Sequence, residues 1–260
     1  MARPGGRRIG VAVRAIIYAA GVGARLGEDD PVPKILLEIG GRSLLRRHLD
    51  ILDACGVEEI VIALGHKAEA VETAVAALRP DGAVRTVRNP DYRRGSIVTQ
   101  WCVRDALTAG GPVLLMDADV LYDRRLLDRL LGSAHADCFL LDRDIEPGEE
   151  PVKLCIRDGH LVDFRKRPER SFDWCGESVG FFKLGEATAR RLVAATRRYI
   201  ETGQTGEYYD EALRDLLIAD PPGRFGFEDV TGLPWTEIDF PADLARAQDV
   251  VLPRLEPAAP

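Results

Sequence analysis

A chain of 260 residues, 46% hydrophobic and 30% charged, can bury one large core, and no apolar run in it approaches the ~20 residues of a membrane helix. Its formal charge of -7 argues against a nucleic-acid partner, whose phosphates it would repel. Five cysteines (Cys55, Cys102, Cys138, Cys155 and Cys175) show no CxxC spacing, and reduced thiols in a cytoplasmic protein are the simplest account.

The basic start, MARPGGRRIG, is predicted to be a flexible tail over residues 1–10 rather than a signal peptide, since Arg14 interrupts the apolar stretch behind it. Ala15 to Ala20 then form a short apolar run with Gly21 and Gly23 directly after it, a buried strand entering a tight turn. Without Cβ atoms the backbone amides there can approach an anion closely. Arg25 and Lys34 add cations that could both reach one triphosphate if the loop between them folds over it. Neither a Walker A nor a GxGxxG pattern is present.

Leu44, Leu45, Leu49 and Leu52 recur at helical spacing within Ser43 to Ala54, and Glu59 to Leu64 is a β-branched apolar run. A helix over Glu69 to Leu78, a strand over Ala83 to Arg88, a helix over Thr99 to Ala109 and a strand over Val113 to Met116 follow. This βαβαβα order predicts an α/β fold with a mostly parallel sheet covered by helices on both faces. Ligands in such sheets bind beyond the carboxyl ends of the strands, where Gly21 to Lys34 and the segment after Met116 both fall. After Phe139 the strands shorten, as in Val152 to Arg157 and His160 to Phe164 about an Asp158-Gly159 turn, which predicts a small antiparallel extension. A single domain is expected over 11–255, in two halves (11–141 and 142–255), with a tail over 256–260. Leftover apolar helix faces leave room for a homodimer.

Asp117 and Asp119 follow the strand Val113 to Met116, and two anions at a strand end repel each other unless a cation such as Mg²⁺ sits there. The competing reading is a solvated turn in which Asp caps the next helix. Glu237 and Asp239 lie two apart in a strand predicted over Trp235 to Phe240, so they share a face and could complete the metal site. Tyr208, Tyr209, Asp210, Glu211 and Trp174 could hold a cationic head group; alternatively YYDEALRDLL is an ordinary amphipathic helix with its aromatics in the core. Gln100, Ser178, Thr205 and Glu177 could serve a polyol instead. His48, His66, His135 and His160 share no metal-ligand spacing and are expected at the surface or in caps. Arg165-Lys166-Arg167 is an ordinary charged loop by composition, though it follows a predicted strand of the second half.

The segment AAGVGARLGEDDPVPK, with Ala19, Ala20, Gly21, Gly23, Arg25, Leu26, Pro33 and Lys34, resembles the AAGxGxRL…PK signature of nucleotidyltransferases. One departure is a short loop carrying Glu28, Asp29 and Asp30, where many relatives are longer and less acidic. With NPDY at Asn89, ESVGFF at Glu177, YYDEAL at Tyr208 and the closing WTEIDFPADLARA, nearly the whole chain is similar to bacterial cytidylyltransferases acting on phosphocholine, inositol 1-phosphate and aminoalkyl phosphonates. That resemblance implies a Rossmann-like sheet of GT-A type and transfer of CMP from CTP to a small phosphorylated or phosphonate acceptor. It implies Mg²⁺ on Asp119 and Asp239, with Glu237 as a further ligand and Asp117 nearby or at the ribose. The Gly21 region and Thr99 would contact cytosine and ribose, Lys34 and Arg25 the phosphates, and Lys153 or Lys166 the acceptor anion. Competing expectations are a nucleotidyltransferase of sugar-1-phosphate or molybdenum-cofactor guanylyl type, and a non-catalytic nucleotide-binding regulator.

Overall fold

Arg14–Ala19 forms the first strand, β1, and every residue in it is buried, as a strand covered on both faces must be. The computed structural model describes residues 12–23, 25, 32–145 and 151–256. The tail predicted for 1–10, the end from Pro257 to Pro260, and Leu26, Glu28, Asp29 and Asp30 of the loop lie outside the described residues. Glu256, expected to begin a tail, is instead tied down: its N–H donates to Asp123 Oδ2 at 2.8 Å.

After β1 come a short hairpin, β2 (Glu38–Ile39) and β3 (Arg42–Ser43), then α1 (Leu44–Ala54), β4 (Glu59–Leu64), α2 (Ala68–Leu78) and β5 (Val84–Arg88). Ser43 starts α1 by accepting the Arg46 N–H at 3.2 Å. The helix expected over Thr99 to Ala109 is two pieces, α3 (Ser96–Cys102) and α4 (Arg104–Leu107), so Thr99 lies within a helix rather than at its start. β6 (Val113–Asp117), β7 (Val120–Tyr122), α5 (Arg124–Gly132) and β8 (Cys138–Asp142) complete the first half. The second contains β9 (Lys153–Arg157), β10 (His160–Arg165), β11 (Trp174–Leu184), α6 (Glu186–Glu201), α7 (Tyr209–Ala219), β12 (Gly226–Asp229), β13 (Trp235–Glu237) and α8 (Pro241–Arg246). Asp158 and Gly159, both at positive φ, make the predicted turn between β9 and β10.

The main sheet runs β10-β9-β11-β6-β1-β4-β5, with β8 against β11 and β12 against β8. β6, β1, β4 and β5 are parallel. β11 is antiparallel to β6, β8 and β9, so one long strand carries the parallel half into the antiparallel extension. Alternation along β1 divides the core. Ala15, Ile17 and Ala19 meet α1, α2 and α5 on one face. Ile16 and Tyr18 meet α3, α4, α6 and α7 on the other. A third cluster joins Ile39 and Leu44 to Leu121, Ile238 and Val251, fastening the C-terminal segment beneath the site. Among the described residues no helix is long and apolar enough to cross a membrane, and all five cysteines are free thiols.

Candidate active site

The buried end of β1 delivers the chain to Gly21–Gly23. Gly23 adopts φ +71°, and Lys34 folds across it so closely that a Cβ there would meet Lys34 Cγ at 3.3 Å. Gly21 faces open space and is under no such constraint. Lys34 itself opens a tight turn, Lys34–Leu36, whose Ile35 is buried and anchors it.

Asp119 is brought to Lys34 by a two-stranded ribbon. β7 and β13 pair antiparallel, with Tyr122 opposite Trp235 and Val120 opposite Glu237. The Ile238 N–H extends the pairing by donating to the Asp119 carbonyl at 2.9 Å. β13 stops at Glu237, short of the predicted Phe240, and Asp239 follows just beyond its end with its carboxylate still beside that of Glu237. Asp119, Glu237 and Asp239 each bring a carboxylate oxygen within 4.8 Å of the others. The Lys34 ammonium donates to Asp119 Oδ2 at 2.8 Å and to Asp239 Oδ1 at 2.5 Å. Arg25 donates to Asp239 Oδ2 at 3.0 Å and lies over the Phe240 ring.

Burial opposes the charge on Lys34, but Asp119 and Asp239 outweigh it and raise its pKa above the ordinary lysine value. Enclosure alone would raise Asp239, yet Lys34 and then Arg25 hold its carboxyl below the usual range. Glu237 opens to the cleft and is nonetheless ringed by protein; that enclosure, then Asp119, Asp239 and Asp117, push its carboxyl well above the ordinary range. Crowded anions of this kind call for a cation. All three donors are hard carboxylate oxygens, which fit Mg²⁺, an ion that takes one or two carboxylates plus phosphate oxygens. Helix capping, the competing role for the aspartate pair, falls to Asp123, which accepts the Arg125 N–H at the start of α5.

Asp117 points away from the triad into the second half. Its Oδ1 accepts the Tyr209 hydroxyl at 2.9 Å. Its Oδ2 lies where a Cβ on Gly180 would come within 2.2 Å, and Gly180 sits at φ +79° in an irregularity of β11. Burial and then Asp119 push the Asp117 carboxyl up, against the Tyr209 hydrogen bond. Tyr209 is 7% exposed and stacks on Tyr18 at 4.3 Å. It is core and cavity floor at once, whereas Tyr208 is 57% exposed, with Lys166 over its ring.

One cavity of about 1030 Å³ joins these parts. Ala19, Ala20, Gly21, Gly23, Arg25, Lys34 and Thr99 of the first half line it, with the Thr99 hydroxyl accepting from Asn89 Nδ2 at 2.9 Å. So do Asp117, Asp119, Glu237 and Asp239, together with Lys166, Arg167, Ser178, Tyr208, Tyr209, Asp210 and Glu211 of the second half. Asp210 Oδ1 is buried without a hydrogen-bond partner, and burial, then Glu211, push its carboxyl up to about 6.

Several expected residues stand elsewhere. Lys153 turns from the cavity and donates to the Lys166 carbonyl at 3.0 Å. Glu177 lines a separate cavity of about 330 Å³ behind β13. Trp174 lies under Arg143, and Gln100 is fully buried, accepting from the Tyr18 hydroxyl and donating to Thr196. Arg94 binds Thr205. His48, expected at the surface or in a cap, is 1% exposed: it falls on the apolar face of α1, where burial depresses its pKa to about 4 and keeps it neutral. Its position four residues after Leu44 and three after Leu45 was the available signal. Gly180 carried no signal, because its positive φ belongs to the β11 irregularity.

A cationic glycine loop and a carboxylate triad, meeting at the carboxyl ends of a parallel sheet helically covered on both faces, define a nucleotide-handling α/β protein. Comparison narrows this: residues 15–175 match the MobA-like NTP transferase domain, and the chain belongs to that family. It is 30% identical over 244 residues (91% of this chain, 38% of the relative) to a CMP-5'-(3-aminopropyl)phosphonate synthase of Streptomyces rubellomurinus. It is 32% identical over 243 residues (92% and 52%) to a bifunctional IPC transferase and DIPP synthase of Rubrobacter xylanophilus. The chain thus spans about half or less of the length of these relatives. In fold it is similar to the inositol-1-phosphate CTP transferase from T. maritima (TM-score 0.73, 19% identity, covering 93% of this chain and 98% of that one). The CTP:phosphocholine cytidylyltransferase from Streptococcus pneumoniae is alike as well (TM-score 0.71, 20% identity, 92% and 99%).

Proposed function

We propose that the protein transfers CMP from CTP to a small phosphorylated alcohol or phosphonate, releasing pyrophosphate, with Mg²⁺ held by Asp119, Asp239 and Glu237. The observation that carries this reading is one cavity lined together by a cationic loop, a carboxylate triad and second-half side chains of both charge signs. An acceptor oxygen attacks the α-phosphorus, the bond to the bridging oxygen of the β-phosphate breaks, and pyrophosphate departs with that electron pair. The acceptor is anionic near neutral pH, so positioning and charge neutralisation supply the catalysis and no general base is needed. Held by these three carboxylates, Mg²⁺ would supply charge stabilisation for the phosphates.

The chain's own groups divide the remaining work. Gly21–Gly23 and Arg25 face the triphosphate, Lys34 neutralises developing charge, and Ala19, Ala20 and Thr99 meet the nucleoside, while Asp117 supports Tyr209 on the second-half wall. Lys166, which lies over the Tyr208 ring, binds the acceptor anion, while the Asp210 carboxyl favours a cationic end on the same molecule. Lys153 and Glu177 do not line this cavity and have no part in that reading. The likeness to a CMP-5'-(3-aminopropyl)phosphonate synthase supports CMP transfer and a phosphonate acceptor. The test is pyrophosphate release with Mg²⁺ and each of CTP, UTP, GTP and ATP against phosphocholine, phosphoethanolamine, aminoalkyl phosphonates, inositol 1-phosphate and hexose 1-phosphates. Release with CTP and an amine-bearing acceptor is expected, and Lys34→Ala lowers that turnover at least ~100-fold. Release only with GTP or with hexose 1-phosphates would move the protein to another specificity.

A further inference from the structure

The triad depends on one peptide, Ala118, which separates Asp117 at the end of β6 from Asp119 before β7. Ala118 is 4% exposed, so its carbonyl needs a protein partner. That partner is His48 Nε2, at 3.0 Å, reaching up from the middle of α1. A carbonyl can only accept, so the hydrogen sits on Nε2 and leaves a lone pair on Nδ1. The Tyr122 hydroxyl lies 3.4 Å from Nδ1 and is placed to donate to it. Tyr122 is the last residue of β7, directly opposite Trp235 at the head of β13, and its ring stands edge-on to Phe181. One imidazole therefore touches the turn that carries Asp119 and the ribbon that carries Glu237. A leucine would suit the apolar face of α1 without needing any polar partner, which leaves these two bonds as what histidine adds.

We propose that His48 is a positioning residue for the carboxylate triad, its ring fixing the Ala118 peptide and so the direction in which Asp119 meets Glu237 and Asp239. This rests on the metal site proposed above. Partners that orient metal ligands in this way alter metal affinity by about 10–100-fold when removed.

The experiment is a titration of Mn²⁺ into the full chain with CTP present, free Mn²⁺ being read by electron paramagnetic resonance, alongside thermal unfolding. His48→Leu is expected to weaken Mn²⁺ binding about 10–100-fold, and His48→Gln, whose amide can still donate to the Ala118 carbonyl, to recover most of it. Tyr122→Phe keeps the ring against Phe181, removes only the hydroxyl and is expected to weaken binding several-fold; it carries the test if His48→Leu does not fold. Wild-type affinity in His48→Leu, or in Tyr122→Phe should the leucine variant misfold, overturns the inference, as does equal loss in the Leu and Gln variants. Absence of Mn²⁺ binding in the unmodified protein overturns the metal site and this inference together, whereas binding that Asp239→Asn abolishes and the His48 variants leave intact overturns this inference alone.

Discussion

Glu177 shows how far one side chain can be from the role its chemistry suggests. It lies in β11 opposite Asp142 of β8, 8% exposed, and burial with Asp142 beside it pushes its carboxyl up to about 7. Unfolded, a glutamate titrates near ~4.3, so between these values the folded chain holds a proton that the unfolded chain has lost. The sign follows: this group costs stability above pH 7, and the cost fades as pH falls to about 4. Glu177→Gln is therefore expected to raise the thermal midpoint at pH 8, by roughly 1–3 kcal/mol in stability, and to change it little at about pH 4. Thermal unfolding at both pH values checks this, and a lower midpoint at pH 8 would mean that the carboxylate is a stabilising partner. Lys34 is the opposite case, a charge kept by its partners against burial. His48 was legible in part, since its place among the leucines of α1 marks a buried face, but nothing in one helix shows that the Ala118 carbonyl waits above it.

Among elements, β11 does the most to shape the site. It pairs with β6 through Phe181–Leu184 and with β9 through Trp174–Glu177, and the break between these two registers contains Gly180. There the strand approaches Asp117 so closely that no side chain fits. Gly180→Ala adds a left-handed penalty of about 1–2 kcal/mol and pushes Asp117 off the Tyr209 hydroxyl. We expect kcat to fall at least about tenfold with the thermal midpoint lowered by a few degrees, measured by steady-state kinetics and calorimetry; unchanged turnover would remove Asp117 from the working site. The sequence-based elements β4, α1 and β5 match within a residue at either end, because each has a clear period and a turn beside it. Their regularity explains why α3 was misplaced: its start depends on contacts with the segment before α7, where Ile97 N–H donates to the Glu207 carbonyl.

At the scale of the molecule, the two halves share one sheet and one cavity, so a nucleotide in that cavity would be bound only by the folded chain. CTP with Mg²⁺ at about 100 times its dissociation constant should stabilise the fold by about 2.7 kcal/mol, several degrees in thermal midpoint. ATP and GTP at equal concentration should do less, and a shift indifferent to the base would remove the cytosine preference.

Sequence alone determined the α/β architecture, the glycine loop with Lys34 and the two acidic pairs, because strand periodicity, turn residues and short-range spacing are local properties of a chain. Only the tertiary structure decided that Asp119 joins Glu237 and Asp239 while Asp117 turns to Tyr209, that Lys153 and Glu177 face away from the main cavity, and that His48 lies beneath the triad. Those outcomes depend on the pairing of β7 with β13 and on the bend of β11, contacts between residues far apart in the chain whose register no local pattern specifies.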